Sequence, residues 1–282
     1  MSSFQFNSSL KLRKTLGRFD AVVEIIELAI RELKSKIGRT DNFANCLNHL
    51  CSEHGIQVNQ FDREGVSNRA GHFYIVSVYQ QFESYTDSLR QEFPGEWDSR
   101  NHGESLTDWF FRVLPFSSKE LNADIPNEPS KLRQTIIEHY RIVRNIFAHG
   151  VEESKLEDTH TLLQEQEVEI KRLYSTAAPS LYRQINFEDF VLFTKTAKDL
   201  AARINVLVEP TPEDVVESLF WLDENPDSEV FLSRMKRFSN NESRLKKSLR
   251  ELLKSQFGLI ASDAVPVIDH LLNENDGPLA QR

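Results

Sequence analysis

Cysteine is scarce: two occur in 282 residues, Cys46 and Cys51, five positions apart. That is too few and too local for a disulfide framework, so the chain reads as one from a reducing compartment. Ten glycines and ten prolines fall short of the roughly 12% that these two residues reach on average. So little turn punctuation favours long helices over many short strands and excludes collagen-like and low-complexity chains. No stretch of about 18 apolar residues occurs, and the first ten residues lack the apolar core of a signal peptide. The expectation is a cytoplasmic protein with no membrane span. Internal repeats, Gly-rich phosphate loops and Gly-x-Ser-x-Gly elements are also missing, so no cofactor is expected.

Basic residues are outnumbered, 34 to 43, for a net charge of −9, which excludes a protein that coats nucleic acid or an anionic membrane with its whole surface. The imbalance is uneven. Residues 230–257 hold eight Lys and Arg against Glu242 and Glu251, a local charge of +6 that leaves −15 for the rest. Within this stretch Leu245, Leu249, Leu252, Leu253 and Phe257 share one side of a helix, and most of the basic residues lie elsewhere. A solvated amphipathic helix is one reading; a regulatory face for RNA or a partner protein is the other. Binding of single strands there would weaken with salt, by a slope of about −0.7 per phosphate neutralised.

Apolar residues recur at steps of three and four through most of the chain, the helical period, and the fold class is all-α. Leu12, Leu16, Phe19, Val22, Val23, Ile26, Ala29, Ile30 and Leu33 form a stripe that predicts a first helix over 10–37. Further helices are predicted over 41–54, 68–93, a short piece from Trp109 to Leu114, 130–149, 159–174 and 186–206, where Asn186 is the cap. Residues 209–212, Glu-Pro-Thr-Pro, read as a linker because each proline turns its predecessor out of the α region. Beyond it four short helical patterns cover 213–223, 227–238, 241–256 and 262–273. The expected organisation is a helical bundle over 1–208 with a small helical C-terminal appendage over 209–282.

Two clusters invite a functional reading. Cys46, His49, Cys51 and His54 have the look of four zinc ligands, but on a helix they diverge over about 200° of arc. Cys46, Leu47, Leu50, Cys51 and His54 are expected to share a core-like face instead. The second cluster is the segment 139–150, His-Tyr-Arg-Ile-Val-Arg-Asn-Ile-Phe-Ala-His-Gly. Arg144 is followed by Asn145 and, after four intervening positions, by His149, at the C-terminal end of a helix that Gly150 stops. Arg133 and His139 have a comparable spacing, but lie mid-helix. Histidines 72, 102, 139, 160 and 270 are expected at the surface or half buried. On a continuous helix Arg141, Asn145 and His149 fall on one face, and Arg144 lies about 100° from Asn145. One protomer therefore offers adjoining faces rather than a closed pocket.

The Arg-Asn-x-x-Ala-His-Gly pattern resembles the signature of the HEPN superfamily, whose ribonuclease members carry Arg, a polar residue that is often Asn, and His at this spacing. The long helix with Phe82 and Glu83 in its middle and the helix from Phe187 to Ile204 are similar to other helices of such bundles. The resemblance covers roughly residues 10–206. It implies a homodimeric endoribonuclease whose two Arg144/His149 ends meet across a two-fold axis and whose products end in a 2′,3′-cyclic phosphate. It also implies a toxin or anti-phage defence effector, with an antitoxin or defence-system partner.

The residue types suit cleavage of RNA without a metal. An imidazole can take the ribose 2′-hydroxyl proton or return one to the leaving oxygen, and an arginine fork can hold the scissile phosphate. Asn145 supports either group, and Glu83 is a further candidate for orienting Arg144 or His149. Two bland readings stand beside these. Cations in the last turn of a helix complement its dipole in any protein, and non-catalytic superfamily members serve as scaffolds or partners of another subunit.

Overall fold

The computed structural model describes residues 4–38, 43–58, 65–92, 99, 101, 104, 109, 129–207, 211–212, 215–216, 233, 237–238 and 240–273. All regular structure among these residues is helical. In chain order the α-helices are α1 (Asn7–Gly38), α2 (Phe43–His54), α3 (Gly65–Glu92), α4 (Pro129–His149), α5 (Glu157–Glu165), α6 (Glu167–Tyr174), α7 (Phe187–Leu207), α8 (Glu242–Phe257) and α9 (Ala264–Asn273). Short 3-10 turns occupy Glu153–Leu156 and Tyr182–Gln184. No described helix is long and apolar enough to cross a membrane.

The chain forms two compact units. One comprises residues 13–82 and 131–197, the other 1–12, 83–130 and 198–282. The first is built around Leu16, Ile75, Tyr79, Phe82, Ile136, Ile137, Tyr140, Phe190 and Phe193, all fully buried. Tyr140 stacks on Phe193 at 4.7 Å, and its hydroxyl donates to Asp189 Oδ1 at 3.1 Å. Asp189 also starts α7. Asn186 Oδ1 accepts from the Glu188 N–H at 2.8 Å, and the Asn186 N–H donates back to Asp189 Oδ2 at 3.0 Å. This reciprocal cap satisfies two orphan donors of the first turn, as the sequence predicted for Asn186. Burial raises the Asp189 pKa, and hydrogen bonds from the Ser180 and Asn186 N–H groups and the Tyr140 hydroxyl oppose the rise. At Gly71 of α3 a Cβ would lie 3.0 Å from the Ile185 carbonyl oxygen, so only glycine lets the chain before α7 come this close.

In the second unit, Phe4 packs edge-on to Phe6 at 4.8 Å and stacks on Phe257 at 5.9 Å. The Glu92 carboxylate accepts from the Ser8 N–H at 2.9 Å, in the first turn of α1, where the helix dipole favours an anion. Asn241 Oδ1 caps α8 by accepting from the Arg244 N–H at 3.0 Å. Leu245, Leu249, Leu252, Leu253 and Phe257 are all buried, as their spacing predicted, while Arg244, Lys247, Arg250 and Lys254 are exposed.

Several expectations need correction. The predicted helix over 159–174 is two helices broken at Gln166, whose φ of −103° and ψ of 14° leave the α region. Helix α3 starts three residues earlier than predicted, at Gly65. The stripe on α1 divides: Leu12, Leu16 and Val23 are buried, whereas Val22, Ile26 and Ala29 face outward. The apolar face expected on α2 is half buried at Cys46, Leu47, Leu50 and Cys51, and His54 is exposed. His72 and His139 are buried rather than at the surface. Helix α4 starts at Pro129, so Ser130 lies inside the helix rather than at its cap. His102, the helices over 213–223 and 227–238, and all but Trp109 of the 109–114 piece lie wholly or mostly outside the described residues. So does the linker, apart from Thr211 and Pro212.

Candidate functional site

Helix α4 is amphipathic: Leu132, Ile136, Ile137, Tyr140, Val143 and Ile146 turn into the core at helical spacing, which fixes the rotation of the helix. Its end is sharp. Gly150 takes a left-handed φ of 65° and its N–H donates to the Ile146 carbonyl at 3.0 Å, a turn at which any side chain would be strained. His149 is thereby left exposed on the last turn, and Arg144 and Asn145 are half buried one turn earlier.

The three side chains converge. Arg144 Nη1 donates to Asn145 Oδ1 at 2.9 Å and lies 3.2 Å from His149 Nε2. A guanidinium can only donate, so in this contact Nε2 is placed to accept. The Arg144 Cζ sits 5.5 Å from the centre of the Tyr79 ring, a cation–π contact that seats the base of the fork against α3. The 100° separation of Arg144 from Asn145 on the helical wheel did not anticipate this. A side chain long enough to reach one turn onward joins faces that backbone geometry separates.

A second set of contacts fixes the end of α4 from behind. Phe147 stacks on His72 at 5.3 Å and meets Phe73 edge-on at 5.2 Å. His72 Nε2 donates to the Tyr182 carbonyl at 3.0 Å, and Asn68 Nδ2 donates to the Tyr182 and Ile185 carbonyls, both at 3.0 Å. Burial lowers the His72 pKa, the nearby Arg69 adds to this, and the hydrogen bond to Tyr182 opposes it. Sequence reasoning missed Tyr79, His72 and Tyr182 as supports, because each acts across 30 or more residues through ring faces or main-chain carbonyls that leave no local pattern.

Arg141 pairs with Glu138 on its own helix, Nε to Oε2 at 2.7 Å. Glu83 is half buried on α3 and belongs to the second unit; its carbonyl accepts from the Thr86 hydroxyl at 2.8 Å. His139 is fully buried, with Nε2 3.1 Å from the Ser180 carbonyl and Nδ1 3.2 Å from the Thr159 hydroxyl. The alternative pair Arg133/His139 therefore presents no imidazole to solvent. Cys46 and Cys51 are free thiols, and among the described residues no group of three or more His, Cys, Asp or Glu is placed to hold a metal ion.

Compared with known proteins, the chain matches no family model, no curated protein and no solved structure.

Proposed function

We propose that the chain is a HEPN-type, metal-independent endoribonuclease that works as a homodimer. One observation carries the reading: Arg144 Nη1 lies 3.2 Å from His149 Nε2 at the end of α4, where His149 is exposed, so a guanidinium and an imidazole meet at the same place. A phosphodiester brought there draws the Arg144 fork toward its oxygens, since a bond to an anion is stronger than one to an imidazole. His149 Nε2 is then free to take the 2′-hydroxyl proton. The 2′-oxygen attacks phosphorus, the 5′-oxygen leaves with a proton from an acid, and a 2′,3′-cyclic phosphate remains. Arg144 and Asn145 stabilise the charge that builds on the phosphate.

A single α4 end supplies one histidine for two proton transfers. A two-fold dimer supplies the second, with His149 of each copy in one of the two roles. Glu83 is the further candidate for orienting Arg144 or His149. The cellular role that fits is a toxin or anti-phage effector that halts growth by cutting RNA and is restrained by an antitoxin or a partner of its defence system.

Wild-type protein and His149→Ala, compared on RNA in EDTA, test the proposal. Cleavage by the wild type and a loss of about 10²–10⁴-fold in the variant are expected, the range of one general acid–base group. Equal rates in the two preparations contradict the enzyme and leave a non-catalytic binding module.

A further inference from the structure

Helix α1 is apolar on two opposite sides. Leu16, Val23 and the aliphatic stem of Glu27 point into the first unit and are buried. On the other side Val22 is 53% exposed, Ile25 68% and Leu28 68%, flanked by exposed Ala21 and Ala29. At 100° per residue Leu16, Val23 and Glu27 lie about 160–200° from Ile25, whereas Val22, Ala21, Leu28 and Ala29 lie within about 60° of it. A surface helix ordinarily keeps its outer face polar, and a contiguous exposed apolar patch marks an interaction site.

The charges that border this patch directly are of opposite sign at its two ends. Arg18 lies seven residues before Ile25 and Glu32 seven after, both exposed. Seven residues are nearly two turns, so both fall within about 20° of the Ile25 direction. The stripe therefore runs Lys14, Arg18, apolar, Ile25, apolar, Glu32, Lys36, with Lys36 Nζ 3.7 Å from Glu32 Oε1 on its own helix. Turned end for end about Ile25, its inner part complements itself: Ile25 meets Ile25, Val22 meets Leu28, Ala21 meets Ala29, and Arg18 meets Glu32 twice, while Lys14 and Lys36 lie one turn further out. Side-by-side parallel packing would instead set Arg18 against Arg18 and Glu32 against Glu32. We infer that this face of α1 binds the same face of a second copy of the chain, antiparallel, with the two-fold axis at Ile25.

This surface is separate from the Arg144–His149 end. Helix α1 meets α3 at Ser67, where Lys34 Nζ donates to Oγ at 2.8 Å, and Glu27 acts on Tyr74. Helix α4 meets α3 at His72, Phe73 and Tyr79. Ser67 and Tyr74 lie about 140° around α3 from His72 and Tyr79. Pairing through α1 thus neither builds nor needs the shared ribonuclease site, and each idea can fail alone. A chain that uses both two-fold axes is a tetramer; one that uses α1 alone is a dimer.

Sedimentation at tens of micromolar tests the pairing. Wild-type protein is expected as a dimer or tetramer, and Ile25→Asp is expected to halve its mass with helix content unchanged, since Ile25 is 68% exposed. Arg18→Glu should weaken association, and Arg18→Glu with Glu32→Arg should restore it. Register is read by oxidation in a Cys46→Ser, Cys51→Ser background. Ile25→Cys should cross-link two copies, whereas Glu32→Cys should not, because the two copies of position 32 lie about 21 Å apart along the axis. A monomeric wild type, or a mass that Ile25→Asp leaves unchanged, overturns the inference, whatever else covers the face. Equal cross-linking at both positions overturns the antiparallel register.

Discussion

Arg144→Ala is expected to lower RNA cleavage by about 10²–10³-fold, the usual cost of removing one donor aimed at developing charge. Arg144→Lys should recover little of it. A lysine keeps the positive charge, but its single ammonium cannot present a planar fork to a phosphate while also reaching Asn145 Oδ1, 2.9 Å from Nη1 in the native protein. Arg144→Ala also removes the cation–π contact with Tyr79, worth about 0.5–2 kcal/mol between exposed and desolvated settings, so stability should fall less than activity. Parallel unfolding and cleavage measurements on both variants check this. If Arg144→Lys cleaves RNA as the wild type does, the bidentate role assigned to the guanidinium is wrong.

Acid should unfold the protein through His139. The Ser180 carbonyl accepts from Nε2–H, which leaves Nδ1 of the neutral ring as an acceptor beside the Thr159 hydroxyl, and that hydroxyl donates to the Leu156 carbonyl at 3.0 Å. Burial, aided by His160, pushes the His139 pKa down from 6.5 to about 3, against the pull of the Ser180 hydrogen bond. The unfolded chain therefore binds this proton first. The contribution to stability is complete above pH 6.5 and is lost as pH falls toward 3, at about 1.4 kcal/mol per unit.

Between pH 7.5 and 5 the loss from this one residue is about 2 kcal/mol, a sizeable part of a typical 5–15 kcal/mol. His72, also lowered by burial, adds a loss of the same sign. Asp189 and Glu92 are raised by burial, so they take up protons earlier in the folded state and offset part of the loss at lower pH. Denaturant unfolding at the two pH values should show a smaller drop, by about 2 kcal/mol, in His139→Gln, whose amide keeps a donor for Ser180. An identical drop in both proteins would mean that His139 is not the group responsible.

What the sequence made legible follows from short-range physics. Period and caps placed the ends of α4 and α7 and the apolar side of α8, because Gly150, Asn186 and the Leu245–Phe257 spacing act on their own neighbours. Long-range facts were hidden. His139 finds its partners 20 and 41 residues onward, at a hydroxyl and a carbonyl, and no spacing rule points to a main-chain acceptor. The break at Gln166 falls where apolar periodicity continues, so the pattern ran straight through it. On α1, hydrophobicity was correctly read, but not which of two apolar faces the chain itself would use. At the candidate site the residue types were visible in the sequence and the contacts were not: the wheel separated Arg144 from Asn145, and only the fork's reach brought it to both Asn145 and His149.

On the proposed function, Arg144 and His149 break RNA through its own 2′-hydroxyl. The most direct measurement is the chemistry of the ends formed in EDTA when purified protein acts on an RNA and on a DNA of the same sequence. Fragments bearing a 2′,3′-cyclic phosphate and a 5′-hydroxyl are expected from RNA, with DNA intact, and no such fragments from either strand with His149→Ala. Cleavage of DNA at a comparable rate, 5′-phosphate ends, or undiminished cutting by His149→Ala would contradict it.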